Sequence, residues 1–132
     1  MLLEIDHHSG VPIYRQVIEQ IRRQIITDGL KQGDRLETVR DLAARLKVNP
    51  MTISKAYSFL EADGLVERKR GIGLFVAKVR KGRRDRIKTE LLNNVVNKAA
   101  ITAIQLGISQ GEAIEFFKKY YKEYDSKNRR QK

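Results

Sequence analysis

Cysteine is absent, so the 132-residue chain can build no disulfide framework, no thiolate zinc site and no cysteine nucleophile. No window approaches the ~18 apolar residues that a membrane span requires. Glu4 and Asp6 interrupt the one apolar stretch near the start, which therefore does not read as a signal peptide. A cytoplasmic protein without membrane contact is expected. No nucleophile and base stand at a useful spacing and no glycine-rich phosphate loop occurs, so neither catalysis nor a cofactor is expected. His7 and His8 are adjacent on an extended segment, where neighbours point to opposite sides, and no acidic cluster adds ligands; no metal site is expected. Internal repeats and low-complexity tracts are missing as well. The length suits one compact domain, or a small domain plus a helical element, and excludes two full-sized domains. Acid is scarce against base: 27 Lys+Arg face 16 Asp+Glu, a formal charge of +11 that calls for a polyanionic partner.

What is there reads mostly as helix. Ile13, Val17, Ile21 and Ile25 recur every four residues between Pro12 and Asp28, with Gly29 expected just past the end. Leu30 to Leu36 has no period and reads as a short connector turning at Gly33-Asp34. Thr38 followed by Asp41 is a variant capping box for a second helix burying Val39, Leu42, Ala43 and Leu46. Asn49-Pro50 starts a third, with Ile53, Ala56, Tyr57 and Leu60 inward, stopping at Gly64. Two β-prone runs, Leu65–Arg68 and Leu74–Ala77, flank the basic, glycine-containing segment 69–73 and read as a hairpin. Beyond Gly82 helical periodicity resumes through Ile87, Leu91, Val95 and Ala99 to Leu106, with Gly107 as the stop. A capping box, Ser109 to Glu112, opens a last helix carrying Ile114, Phe117, Tyr120, Tyr121 and Tyr124 on one side, and residues 126–132 are expected to fray.

Three helices, the second and third joined by a tight turn, and then a hairpin are the order of a winged helix-turn-helix. The fold class expected is mainly α with a small β-hairpin. Its domains are a winged helix-turn-helix over 1–77, a basic linker over 78–84 and a two-helix dimerisation tail over 85–132. A helix fits the major groove of B-DNA if its outward face is polar and its N-terminal end can approach base edges. The third helix leaves Met51, Thr52, Ser54, Lys55 and Ser58 outward. Residues 67–86 hold nine Lys/Arg against two acids, supplying +7 of the +11, and Lys69 and Arg70 sit at the hairpin tip. A charge run is often mere solvated surface, but this one adjoins a groove-binding pattern.

The runs Gly33–Ala43, Val48–Tyr57 and Leu60–Val66, with Pro12-Ile13-Tyr14 before them and Gly71–Val76 after, resemble the DNA-binding half of GntR-type bacterial transcription regulators. The short helical tail is similar to that of the YtrA-type subfamily. The resemblance implies that Arg40 reaches a base or phosphate and Thr38 the backbone. It places Asn49, Pro50, Thr52, Ser54 and Lys55 at the recognition helix, and has Gly71 and Gly73 let the wing approach the minor groove. It also implies dimerisation through the tail, and transporter genes as targets. Two residues depart from the family pattern: Glu37 replaces a proline, and Leu74 a wing threonine.

The tail presents more apolar surface than a two-helix hairpin can bury in itself. Ile87, Leu91, Val95, Ile114, Phe117 and Tyr121 are the expected interface of a homodimer, with folding back on the winged domain as the rival. Aromatics at this spacing are more often core or interface than a base-stacking platform. The expected function is that of a sequence-specific double-stranded DNA-binding regulator, a dimeric repressor at a palindromic operator. The alternative is a winged-helix module binding RNA or a protein. A small-molecule effector would need the dimer interface to supply pocket walls, since two helices enclose little volume.

Overall fold

The structure is a computed structural model that describes residues 1–130. Seven elements follow in order: α1 (Ile13–Ile26), α2 (Val39–Leu46), α3 (Pro50–Ala62), β1 (Val66–Lys69), β2 (Gly73–Val76), α4 (Lys81–Gln105) and α5 (Gln110–Arg130). This is a winged helix-turn-helix followed by a helical region. The chain divides into two compact units, Met1–Lys88 and Thr89 onward. No helix among the described residues is long and apolar enough to cross a membrane.

In the first unit α1 buries Val17, Ile21 and Ile25 of the stripe seen in the sequence, together with Ile26, while Ile13 is half-buried. The left-handed residue at its end is Asp28 (φ 64°), one position before the expected glycine, and Leu30 N–H closes the turn on Gln24 O at 2.9 Å. Beside this stripe, about 100° round the helix, α1 carries a device that periodicity of apolar residues does not report. Gln16, Gln20 and Gln24 stand four apart, a rise of ~6 Å, which matches two residues of extended chain. Gln20 accepts from Glu4 N–H at 2.9 Å and donates to Glu4 O; Gln16 makes the same pair with Asp6, and Gln24 donates to Leu2 O. The segment before α1 is thereby clasped along the helix, with Leu3 buried.

Thr38 caps α2 as expected, its hydroxyl accepting from Asp41 N–H at 3.1 Å. Lys47, at φ 57°, turns the chain out of α2, and Asn49 caps α3, its side chain accepting from Met51 N–H at 2.9 Å. Helix α3 buries Ile53, Ala56, Tyr57 and Leu60 between its neighbours and is the centre of the unit. The Tyr57 hydroxyl donates to Glu37 O at 2.8 Å, and the Glu37 carboxylate receives two N–H groups from Arg45 at 2.7 and 3.2 Å. Arg45 also donates to Met1 O at 2.8 Å. Where the family pattern has a proline, Glu37 therefore anchors the turn by hydrogen bonds.

Strands β1 and β2 pair antiparallel, from Val66 opposite Val76 to Lys69 opposite Gly73. The aperiodic connector before α2 is partly extended: Leu36 N–H donates to Leu74 O at 2.9 Å and Val76 N–H to Asp34 O at 2.8 Å, with Arg35 bridged to Phe75. It lines the free edge of β2 as a third, irregular strand, too short for alternation to be visible. Leu74, at the family's threonine position, faces inward and is buried.

Helix α4 begins at Lys81, inside the stretch 78–84 expected as a linker, and its first turns belong to the winged unit. The Arg84 guanidinium donates to Ile26 O at 3.1 Å and pairs with Asp28 at 3.3 Å, placing a cation at the carbonyl end of α1. Arg83 pairs with Asp63, the cap of α3, at 3.2 Å. Ile87, expected on a dimer face, is only 3% exposed within the single chain and is core of this unit.

In the second unit Gly107 (φ 70°) ends α4, and Ser109 accepts from Glu112 N–H at 3.2 Å to start α5. Helix α5, in which fraying is expected from Ser126, runs to Arg130, and residues 131 and 132 lie outside the described residues. Between α4 and α5 lies an open groove of about 620 Å³ lined by Val96, Ala99, Ala103, Ile108, Ile114 and Phe117 among others.

Two stability predictions arise here. Ile87→Ala should lower unfolding free energy by about 2–4 kcal/mol in urea titrations, as for a buried core residue; a loss under ~0.5 kcal/mol would place Ile87 outside the core. Burial, followed by the charge of Glu37 and opposed by Arg45, raises the Tyr57 phenol above its ordinary 10.0. The unfolded phenol ionises first, so the stabilisation is fully present below pH 10.0 and declines as pH rises beyond it. Tyr57→Phe should cost about 1 kcal/mol at neutral pH and remove that share of the alkaline decline. Identical alkaline slopes for the two chains would contradict the assignment.

Candidate nucleic-acid interface

Burial of one side of α3 decides what its other side presents. At 100° per residue, Met51, Ser54, Lys55 and Ser58 lie away from the core, and all four are exposed, Met51 at 77%. Thr52 is half-buried. The first turn combines Pro50 with an Asn49 cap, whose side chain takes Met51 N–H and whose carbonyl takes Thr52 N–H, at the positive end of the helix dipole. Such an end accepts phosphate, while serine and threonine hydroxyls can bond base edges and an exposed methionine can meet a thymine methyl.

The sequence-derived residues separate into three groups. Ser54 and Arg40 are exposed and make no ion pair among the described residues. Thr38 and Asn49 spend their side-chain acceptors on helix caps, so further contact must come from their remaining hydrogen-bonding capacity or from the helix ends they fix. Lys55, whose partner the sequence left open, is held across helices: its ammonium lies 4.0 Å over the Tyr14 ring, which stacks on Phe59 at 5.9 Å. The Tyr14 phenol is lowered from its ordinary value by a hydrogen bond from Arg15, with the Arg15 and Lys55 charges reinforcing it against desolvation.

At the wing, Ile72 N–H bonds Lys69 O at 2.9 Å, closing a turn whose third residue is Gly71 at φ 75°, the left-handed conformation that a type II turn requires. Arg70 is exposed at the tip, and the Lys69 ammonium lies 4.6 Å from the Phe75 ring. Gly73, at φ 143°, has another reason to be glycine. A Cβ there would stand 3.0 Å from Arg35 Nε and 3.3 Å from Nη2, so the missing side chain is filled by a guanidinium of this same chain.

The basic run is also sorted. Arg68 pairs with Glu61 at 3.4 Å, and Arg83 and Arg84 are occupied as described, whereas Lys69, Arg70, Lys78, Arg80 and Lys81 make no ion pair among the described residues. Sequence reading missed Arg35 and Arg45, because each takes its meaning from a partner distant along the chain. Of the tail residues, Leu91 is half-buried, and Val95, Ile114, Phe117 and Tyr121 are 45–63% exposed.

Residues 13–76 match the family described as bacterial regulatory proteins, gntR family. The HTH-type transcriptional repressor YtrA of Bacillus subtilis (strain 168) is 32% identical over 117 residues, 89% of this chain and 90% of that protein. A GntR family transcriptional regulator from Listeria monocytogenes superposes with a TM-score of 0.72 at 31% identity, over 87% of this chain and 98% of the other. AraR(DBD), solved in complex with operator ORX1, superposes with a TM-score of 0.52 at 30% identity, over 57% of this chain and 96% of its own. The chain is a winged helix-turn-helix member of the GntR family of bacterial regulatory proteins.

Proposed function

We propose that this chain is a sequence-specific double-stranded DNA-binding repressor that acts as a homodimer on a palindromic operator, with transporter genes as its targets. The observation that carries the reading is that one unit holds both a capped α3 with an exposed polar side and a wing whose tip cations make no ion pair among the described residues. The likeness to AraR(DBD), solved with an operator, supports duplex DNA as the polyanion. Arg40, Thr52 and Ser54 take base or phosphate contacts, Lys69 and Arg70 take phosphate, and the helix ends fixed by Thr38 and Asn49 position the backbone. Lys55 reaches DNA from its seat on Tyr14.

Dimerisation is supported by the tail, where Val95, Ile114, Phe117 and Tyr121 remain exposed beside an apolar groove. A surface of this kind is stabilised by a partner. A two-fold pair would hold two recognition helices at a fixed separation and bind both half-sites as one event. An effector, if one acts, would bind where the dimer closes that groove.

Affinity should fall with salt at a slope of about −0.9 per phosphate neutralised. Replacing Lys69 and Arg70 by alanine should weaken selected and random duplexes alike and flatten the slope by about two; an unchanged slope would remove the wing from the interface. Phe117→Asp should convert the full-length protein to a monomer in sedimentation and reduce affinity for a palindrome by at least tenfold while sparing a single half-site. A wild-type chain that sediments as a monomer at micromolar concentration, and binds one half-site as tightly as two, would overturn the dimer.

A further inference from the structure

We propose that Arg35 is a DNA contact of the wing, seated for that purpose by the absence of a side chain at Gly73. This rests on the DNA-binding reading above and adds a residue and its positioning partner to it. Arg35 belongs to the irregular third strand and is bridged to Phe75. Along β2, Leu74 and Val76 are buried in the core, so Gly73 and Phe75 occupy the opposite face. On that face the Arg35 guanidinium covers Gly73, with Nε, Nη2 and Cζ at 3.0, 3.3 and 3.5 Å from where a Cβ would stand.

Three features make this seat one for a ligand-facing cation. Arg35 is exposed and makes no ion pair among the described residues, whereas Arg45, Arg68, Arg83 and Arg84 are each matched to an acid. A planar guanidinium laid against bare backbone loses rotational freedom in advance, and its outer N–H groups stay available to phosphate or to a minor-groove acceptor. The Lys69 ammonium, 4.6 Å from the Phe75 ring, is on the same face, so Arg35 extends the wing's positive tip inward along β2. The glycine at 73 would then matter to DNA through Arg35 and not through close approach of its own backbone.

Fluorescence anisotropy on a duplex selected by the full-length protein tests this, using R35A, R35K, G73A and the double variant R35A/G73A. R35A should weaken binding about tenfold and reduce the salt slope by about 0.9, with unchanged thermal unfolding. R35K should restore the slope and only part of the affinity, because an ammonium keeps the charge without the fork. G73A should reduce the salt slope by as much as R35A does, and the double variant by no more than either, while the affinity lost in G73A also carries the backbone strain of a Cβ at φ 143°. Unchanged affinity and slope in R35A would overturn the contact, and a G73A chain that keeps the full salt slope would overturn the positioning link. Should G73A fail to fold, R35A and R35K decide the contact. If the unsubstituted chain retains no duplex, the DNA reading itself fails, which is a separate result from an R35A chain that binds normally.

Discussion

The burial of Ile53, Ala56, Tyr57 and Leu60 on one side of α3 is the constraint from which the rest of the first unit follows. It packs the helix against α1 and α2 and leaves Met51, Ser54 and Lys55 outward. Tyr57 adds direction to that burial, because its hydroxyl must reach Glu37 O and so fixes the rotation of α3 against the start of α2. Apolar packing alone tolerates slippage; a buried hydroxyl with a single partner does not. The rotation of α3 against the segment before α2 is thus set by one contact.

Much of this was legible in the sequence because it is local. Caps at Thr38, Asn49 and Ser109, the period of α1, the stop at Gly107 and the hairpin around Gly71 depend on residues within a turn of each other. What stayed hidden was non-local. The third strand at Asp34–Leu36 has no alternation of its own and exists only because β2 has a free edge. The glutamines of α1 look like ordinary exposed polar residues until the preceding segment runs along them. Ile87 fits the apolar stripe of α4 and by sequence belongs with a tail interface, yet its helix begins on the winged unit, where Arg83 and Arg84 pin it.

The electrostatics changed character in the same way. A formal +11 and a basic run suggest a uniform positive band, but three arginines of that run neutralise acids of the fold, Arg68 with Glu61, Arg83 with Asp63 and Arg84 with Asp28, as Arg45 does Glu37. These half-exposed pairs contribute little stability individually. Their consequence is geographic. Four carboxylates that would repel a polyanion are matched within the protein, while the wing and the segment after it keep cations that make no ion pair among the described residues. Glu37, the departure from the family pattern that puts an acid beside α2, is silenced by Arg45 and by the turn it anchors.

Selection of full-length protein-bound molecules from a random pool containing duplex DNA, single strands and structured RNA tests the central claim most directly. A-form RNA grooves do not admit a recognition helix, so shape alone separates the classes. The account predicts enrichment of duplex DNA carrying an inverted repeat with half-sites about one or two helical turns apart. Enrichment of RNA, or of no common duplex sequence, would contradict it.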